Sequence, residues 1–150
     1  MSVLSIIVPA YNEEEHIAKT LSGLTEQDYP NVELIVIDNN SKDKTKEIAE
    51  KYCERVYTET TQGYIAAVNR GAAEATGTWI TFCDADTQYP KNWATQIVAA
   101  FETNPDAVAV YGGADTYDAG GPIRNFINGI LYTQFLRISR FLGLDNTSGF

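Results

Sequence analysis

Short aliphatic blocks recur along the chain, each followed by a polar break and then a stretch with helical spacing. Val3 to Val8 is rich in β-branched and aliphatic residues and is stopped by Pro9, the pattern of a buried strand. Asn12, with Glu15 three residues on, has the form of a capping box opening a helix. Ile17, Leu21 and Leu24 give that helix an apolar stripe, which ends near Asp28-Tyr29-Pro30. Glu33 to Ile37 reads as a second strand, closed by Asp38-Asn39-Asn40-Ser41. A polar helix over Lys44 to Glu54 is expected to bury Ile48, Ala49 and Tyr52, and Arg55 to Thr58 forms a short third strand. Gly63 introduces an Ala-rich helix through Ala75, with Gly77 placed to terminate it. Thr78 to Cys83 is a fourth strand, stopped by Asp84-Ala85-Asp86. Pro90 precedes a helix over 92–103, and Ala107 to Tyr111 is a fifth strand.

Strands that alternate with helices in this way predict parallel pairing through right-handed crossovers. The first, second and fourth strands are nearly continuous apolar runs, as expected when helices cover both faces of a sheet. The fold class is therefore α/β, a three-layer sandwich around a central, mostly parallel sheet. The last third differs. Gly112-Gly113 and Gly120-Gly121-Pro122 mark irregular backbone, and Ile123 to Leu144 is rich in Ile, Leu, Phe and Tyr with Arg124, Arg137 and Arg140 interspersed. It reads either as a helix packed on the core or as a surface for a membrane or a further segment. An apolar tail left uncovered also favours a homo-dimer. The chain stops at Asn146-Thr147-Ser148-Gly149-Phe150 without a closing polar tail and reads as cut within a fold.

Composition narrows the choice. The 150 residues, 44% hydrophobic and 21% charged, suit one soluble domain. With 11 basic and 20 acidic side chains the formal net charge is −9, and no Lys/Arg cluster is present, which argues against nucleic acid as a partner. The same field repels anionic small molecules, so a nucleotide site here needs a cation, backbone N–H groups or one well-placed basic side chain. Cys53 and Cys83 are far apart and form no CxxC pair; they read as reduced thiols of a cytoplasmic protein. The apolar start is too short and lacks the flanks of a signal peptide. No charge-free apolar run of about 18 residues suggests a membrane span, and the Asn146-Thr147-Ser148 acceptor pattern reads as chance.

Ligands of an open parallel sheet bind beyond the carboxyl ends of its strands. The residues at those positions are Pro9 to Glu14 after the first strand, Asp38 to Ser41 after the second and Asp84 to Asp86 after the fourth. Asp38, Asp84 and Asp86 are thus expected near one another. Gathered carboxylates repel unless a cation intervenes, and oxygen ligands of this type suit a hard divalent ion, Mg²⁺ or Mn²⁺. As turn residues and helix caps the same aspartates need no ligand. Tyr11 offers an aromatic face to a base. Glu13 fits equally the favourable field of a first helical turn. Arg70 is a candidate diphosphate contact. His16, placed inside the first helix, reads as a surface residue and not as a catalyst.

Val8-Pro9-Ala10-Tyr11-Asn12-Glu13-Glu14, then Val36-Ile37-Asp38-Asn39-Asn40-Ser41 with Asp43, then Gly63 with Ala67, Asn69 and Gly71, then Phe82-Cys83-Asp84-Ala85-Asp86 together resemble the family 2 inverting glycosyltransferases in order and spacing. The resemblance covers about residues 3 to 115 and implies a GT-A fold and a nucleoside-diphosphate sugar donor, a UDP- or GDP-sugar. It implies a donor-binding α/β core over residues 1–115, followed within the same domain by the start of an acceptor-side segment over 116–150. By similarity, Pro9, Ala10, Tyr11 and Glu13 line the nucleoside pocket, Asp38 and Asn39 contact base or ribose, Asp84 lies near ribose or sugar, and Asp86 binds the metal that bridges the phosphates. Some members carry a second acidic residue where Asn39 stands; an amide both donates and accepts, so the base stays open. The general base of the family lies well beyond the DxD, and no motif assigns it to Asp115, Asp118 or Asp145. The chain is accordingly expected to bind donor but to transfer poorly. The acceptor stays open between a lipid carrier, a polysaccharide end and a protein, with a cytoplasmic location that extends to the inner face of the membrane. A nucleotidyltransferase and a non-catalytic nucleotide-sugar-binding module are the alternatives, the former disfavoured by an acidic, glycine-free loop after the first strand.

Overall fold

In the computed structural model residues 2–104 and 106 are described. Four strands and four helices alternate: β1 (Leu4–Ala10), α1 (Ile17–Thr25), β2 (Val32–Asp38), α2 (Thr45–Ala49), β3 (Val56–Thr58), α3 (Tyr64–Glu74), β4 (Trp79–Phe82) and α4 (Trp93–Thr103). All described pairings are parallel, in the order β3-β2-β1-β4. The predicted fifth strand, the apolar tail and the 115/116 boundary lie outside the described residues. Those up to Thr103 belong to one compact unit.

β1 is paired on both sides and buried on both faces. Leu4, Ile6, Val8 and Ala10 join Ile17, Leu21 and Leu24 of α1, Ala49 of α2 and Ala94 and Val98 of α4 in one cluster. Ile7, of opposite parity, joins Ile35, Ile37 and Ala67 of α3 in another. Successive strand side chains point to opposite faces, so these clusters are the two interfaces of a three-layer sandwich. α3 sits close because Gly71 has no side chain: a Cβ there would lie 2.3 Å from Ile7 Cγ2 and 3.2 Å from Ile37 Cγ1. Trp79 stacks on Phe101 of α4, with ring centroids 4.3 Å apart.

Several local expectations change. β1 does not stop at Pro9, which pairs with Ile37. Ile7 turns its carbonyl toward β4, accepting from Cys83 N, whereas Ala10 turns its carbonyl toward β2, accepting from Asn39 N. Pro9 shares the parity of Ile7, so its missing donor faces the side where pairing with β4 has already ended at Phe82. The capping box at Asn12 is absent. α1 begins at Ile17 with the exposed His16 before it, which makes no side-chain cap bond. Asn12 instead sits at φ +56° with its Oδ1 accepting Lys42 N–H. α2 is five residues long, because Lys51 N and Tyr52 N turn to Ile48 O and Ala49 O in tighter bonds, and Tyr52 is exposed. Gly77 does not cap α3, which ends at Glu74 with an extended Ala75. It provides a close approach instead: a Cβ there would lie 2.5 Å from Ser5 Oγ and 2.7 Å from Val3 O.

Candidate functional site

β1 runs past the last residue that β4 pairs with, and the chain switches sides of the sheet between β3 and β4. The opening this leaves at the carboxyl ends is where an open α/β sheet takes its ligands. A cleft of about 430 Å³ lies there. Pro9, Ala10, Tyr11 and Glu13 line it from β1 and the loop after it, Asn39 from the end of β2, and Asp84 and Asp86 from the loop after β4. Gln62, Gly63, Tyr64, Ala67 and Ala85 complete the lining. None of these five stands out as a site residue in the sequence. Gly63 and Ala67 were visible as motif positions, whereas Gln62 and Tyr64 carry no signal of their own.

The loops after β1 and β2 are locked by reciprocal hydrogen bonds. Ser41 Oγ accepts from Asn12 N (3.0 Å), Thr45 Oγ1 from Glu13 N (2.7 Å) and Asp43 Oδ2 from Glu14 N (3.1 Å). In return Asn12 Oδ1 accepts from Lys42 N (2.8 Å) and Glu14 Oε2 from Lys44 N (3.0 Å). Both loops bend through left-handed asparagines, Asn12 and Asn40, a conformation this side chain tolerates. Asp43 also accepts from Thr45 N (3.0 Å). Burial acts to raise its pKa, but the bonds from Thr45 and Glu14 outweigh it and hold the carboxyl below its usual range. The Ser41/Asp43/Thr45 spacing thus serves the backbone that presents Tyr11 and Glu13.

Asn39, only 3% exposed, fixes a third loop. Its Nδ2 donates to Glu59 O (3.0 Å) and Thr61 O (2.7 Å), and its Oδ1 accepts from Gly63 N (2.7 Å). Carbonyls can only accept and a backbone N–H can only donate, so these partners fix the amide orientation. Gly63, at φ +133°, then starts α3 and brings Tyr64 and Ala67 to the cleft.

The acidic loop after β4 presents Asp84 and Asp86, both exposed, on either side of buried Ala85. Thr20 Oγ1 of α1 donates to Ala85 O (2.7 Å), and Tyr89 Oη accepts from Asp84 N (2.9 Å). Burial pushes the neighbouring Cys83 thiol up to about 12, so it stays protonated; Cys53 and Cys83 are both free. Glu13 has a raised pKa, through burial and then through the charges of Asp86, Asp43 and Asp84, with His16 opposing. Negative charge is thus concentrated on this rim. Among the described residues no set of three or more His, Cys, Asp or Glu side chains converges to hold a metal ion. The donor set fits a hard divalent ion that takes one or two carboxylates and completes its shell with water and substrate phosphate, not one held in an all-protein cage.

Two sequence candidates stand off the cleft. Asp38 is buried at the end of β2, with Oδ1 accepting from Ser41 N (3.3 Å), and is not part of the lining. Arg70, two turns into α3, pairs with Glu74 (2.8 Å), and its guanidinium carbon lies 5.5 Å from the centre of the Tyr57 ring. Of the three aspartates expected together, Asp84 and Asp86 line the cleft, along with Glu13, and Asp38 does not. No helix of the described residues is long and apolar enough to cross a membrane.

Comparisons with known proteins show the family and the fold. The glycosyl transferase family 2 matches residues 5–149. The glycosyltransferase AglE of Haloferax volcanii is 36% identical over 128 residues, which cover 79% of this chain and 41% of AglE. Among solved structures, S. aureus TarS 1-349 in complex with UDP superposes with a TM-score of 0.65 at 27% identity, over 74% of this chain and 38% of TarS. The mannosyltransferase PcManGT from Pyrobaculum calidifontis, in complex with GDP-Man and Mn²⁺, gives 0.64 at 30% identity, over 67% of this chain and 32% of PcManGT. The chain thus spans about two fifths of these proteins or less, and its sheet is that of the GT-A glycosyltransferases. On sequence and fold together, the chain belongs to glycosyltransferase family 2.

Proposed function

We propose that the cleft binds a nucleoside-diphosphate sugar with a divalent cation and serves inverting transfer of the sugar to an acceptor. The observation that carries this is that Asp84 and Asp86, after β4, line one cleft with Tyr11 and Glu13, after β1. Support comes from the relatives: TarS has been solved with UDP and PcManGT with GDP-Man and Mn²⁺.

In this account Tyr11, about half exposed, gives the base a stacking face, with Pro9 and Ala10 forming the floor beneath it. Asn39 acts through the loop it holds, and Asp84 faces ribose or sugar. Asp86 holds Mg²⁺ or Mn²⁺, which when bound offsets the charge that builds on the leaving diphosphate. Glu13 lines the same cleft, its pKa raised by burial and by the charge of Asp86. Asp38 accepts from Ser41 N in the loop after β2, and Arg70 pairs with Glu74 on α3. No deprotonating base and no acceptor site is assigned among the described residues. Calorimetric titration of UDP, GDP and their sugar conjugates in Mn²⁺ tests this proposal. One base should be preferred, and a folded protein that takes up none of them would refute it.

A further inference from the structure

We propose that Thr20 and Tyr89 are positioning residues that set the aim of Asp84 and Asp86; this rests on the metal–nucleotide role given to the cleft above. β4 ends at Phe82 and α4 begins at Trp93, which leaves Asp84-Ala85-Asp86 outside both elements. Two side chains hold its flanking peptide planes. Tyr89 Oη accepts from Asp84 N at 2.9 Å and so fixes the peptide that enters the segment. Thr20 Oγ1 donates to Ala85 O at 2.7 Å and fixes the peptide between Ala85 and Asp86.

The choice of residue at position 20 supports a directed role. Thr20 is 2% exposed among Ile17, Leu21 and Leu24, where valine would fill the same space. A helical threonine ordinarily returns its hydroxyl to a carbonyl one turn back; this one donates across 65 residues to the acidic loop. Tyr89 is anchored in turn by its ring, tilted against Trp93 with centroids 4.6 Å apart. Thr20 stands on α1, and Tyr89, in the same connection as the carboxylates, packs on Trp93 at the start of α4, so both braces tie the acidic segment to helices of the core. Groups that orient a metal ligand from behind typically change metal affinity ~10–100-fold when removed.

The test uses the full chain and reads the Mn²⁺ concentration that half-saturates UDP or GDP binding, by calorimetry, in wild type, Thr20→Val, Thr20→Ser, Tyr89→Phe and Asp86→Ala. Melting temperature and nucleotide affinity without metal are measured alongside. The brace predicts a Mn²⁺ requirement raised on the order of tenfold in Thr20→Val and Tyr89→Phe, unchanged metal-free affinity, and recovery in Thr20→Ser. A lowered melting temperature with a wild-type Mn²⁺ requirement in both variants would mean a merely structural role and overturn the proposal. Should Thr20→Val not fold, Tyr89→Phe, which keeps its ring, decides alone. If wild type shows no Mn²⁺-dependent binding, or Asp86→Ala binds like wild type, the site assignment itself is wrong and the brace goes with it.

Discussion

Asn39 and Gly63 are joined by a 2.7 Å hydrogen bond from the Gly63 N–H to the Asn39 Oδ1, while the other end of the same amide donates to the carbonyls of Glu59 and Thr61. One side chain at the end of β2 therefore closes the loop that starts α3. An aspartate has nearly the same shape but no N–H to give, and it would face two carbonyl oxygens with a negative charge. Asn39→Asp is predicted to lower stability by about 1–3 kcal/mol, the cost of leaving buried polar groups unsatisfied. It should also weaken nucleotide binding, because Tyr64 and Gln62 lose their support. Denaturant unfolding and calorimetry check both effects.

The lock between the loops after β1 and β2 predicts a second phenotype. Asp43→Ala removes the acceptor of Glu14 N and Thr45 N. The expected loss is about 1 kcal/mol of stability and a larger effect on nucleotide affinity than on melting temperature, since Tyr11 and Glu13 are carried by the released backbone. Equal nucleotide affinity in the variant would show that the lock does not position the cleft.

At the opposite end of the sheet, Glu33 accepts from Ser5 Oγ, Thr76 N and Thr76 Oγ1 and pairs with Arg55. Burial acts to raise its pKa. The hydrogen bonds and the guanidinium outweigh that and lower it from 4.5 to about 2. A carboxyl depressed in the folded state stabilises fully above its unfolded value and loses that contribution as pH falls toward the folded one. Glu33→Gln should therefore cost about 2–3 kcal/mol near neutral pH, and the gap to wild type should close as pH falls from about 4.5 toward about 2. Parallel pH titrations of unfolding free energy measure it; a gap that stays constant with pH would show that the charge of Glu33 contributes nothing.

Gly71 is the contact point of α3 on the sheet. Gly71→Ala drives a Cβ against Ile7 and Ile37 and is predicted to cost about 1–3 kcal/mol despite the better helix propensity of alanine. In an Ile7→Ala background the same change should cost less, because the clashing Cγ2 is gone. A double-mutant cycle of unfolding free energies reads the coupling.

The two-sided apolar runs of β1 and β2 and the punctuation after each strand carried most of the fold. They place Pro9, Ala10, Tyr11, Glu13, Asn39, Asp84 and Asp86 on one rim, and these residues line one cleft. What the sequence hid is of another kind. Asn39 and a nucleotide ligand look alike in a string, since the partners of its amide are 20 to 24 residues away. The capping box failed for the same reason: Asn12 has a better partner in Lys42 N, 30 residues on. Thr20 carried no signal because a buried threonine in an apolar stripe looks like a valine until its carbonyl partner is seen. Pro9 reads as a stop in the sequence because a string cannot tell which edge of a strand has lost its neighbour.

The most direct test is metal dependence of nucleotide binding in wild type and Asp86→Ala. Calorimetry with the preferred nucleotide, in Mn²⁺ and in chelator, should show binding that needs the metal in wild type and is lost in the variant, with melting temperature little changed because Asp86 is exposed. Binding of equal strength with and without metal, or binding kept in Asp86→Ala, would contradict the assignment of the acidic loop as the cation side of the donor site.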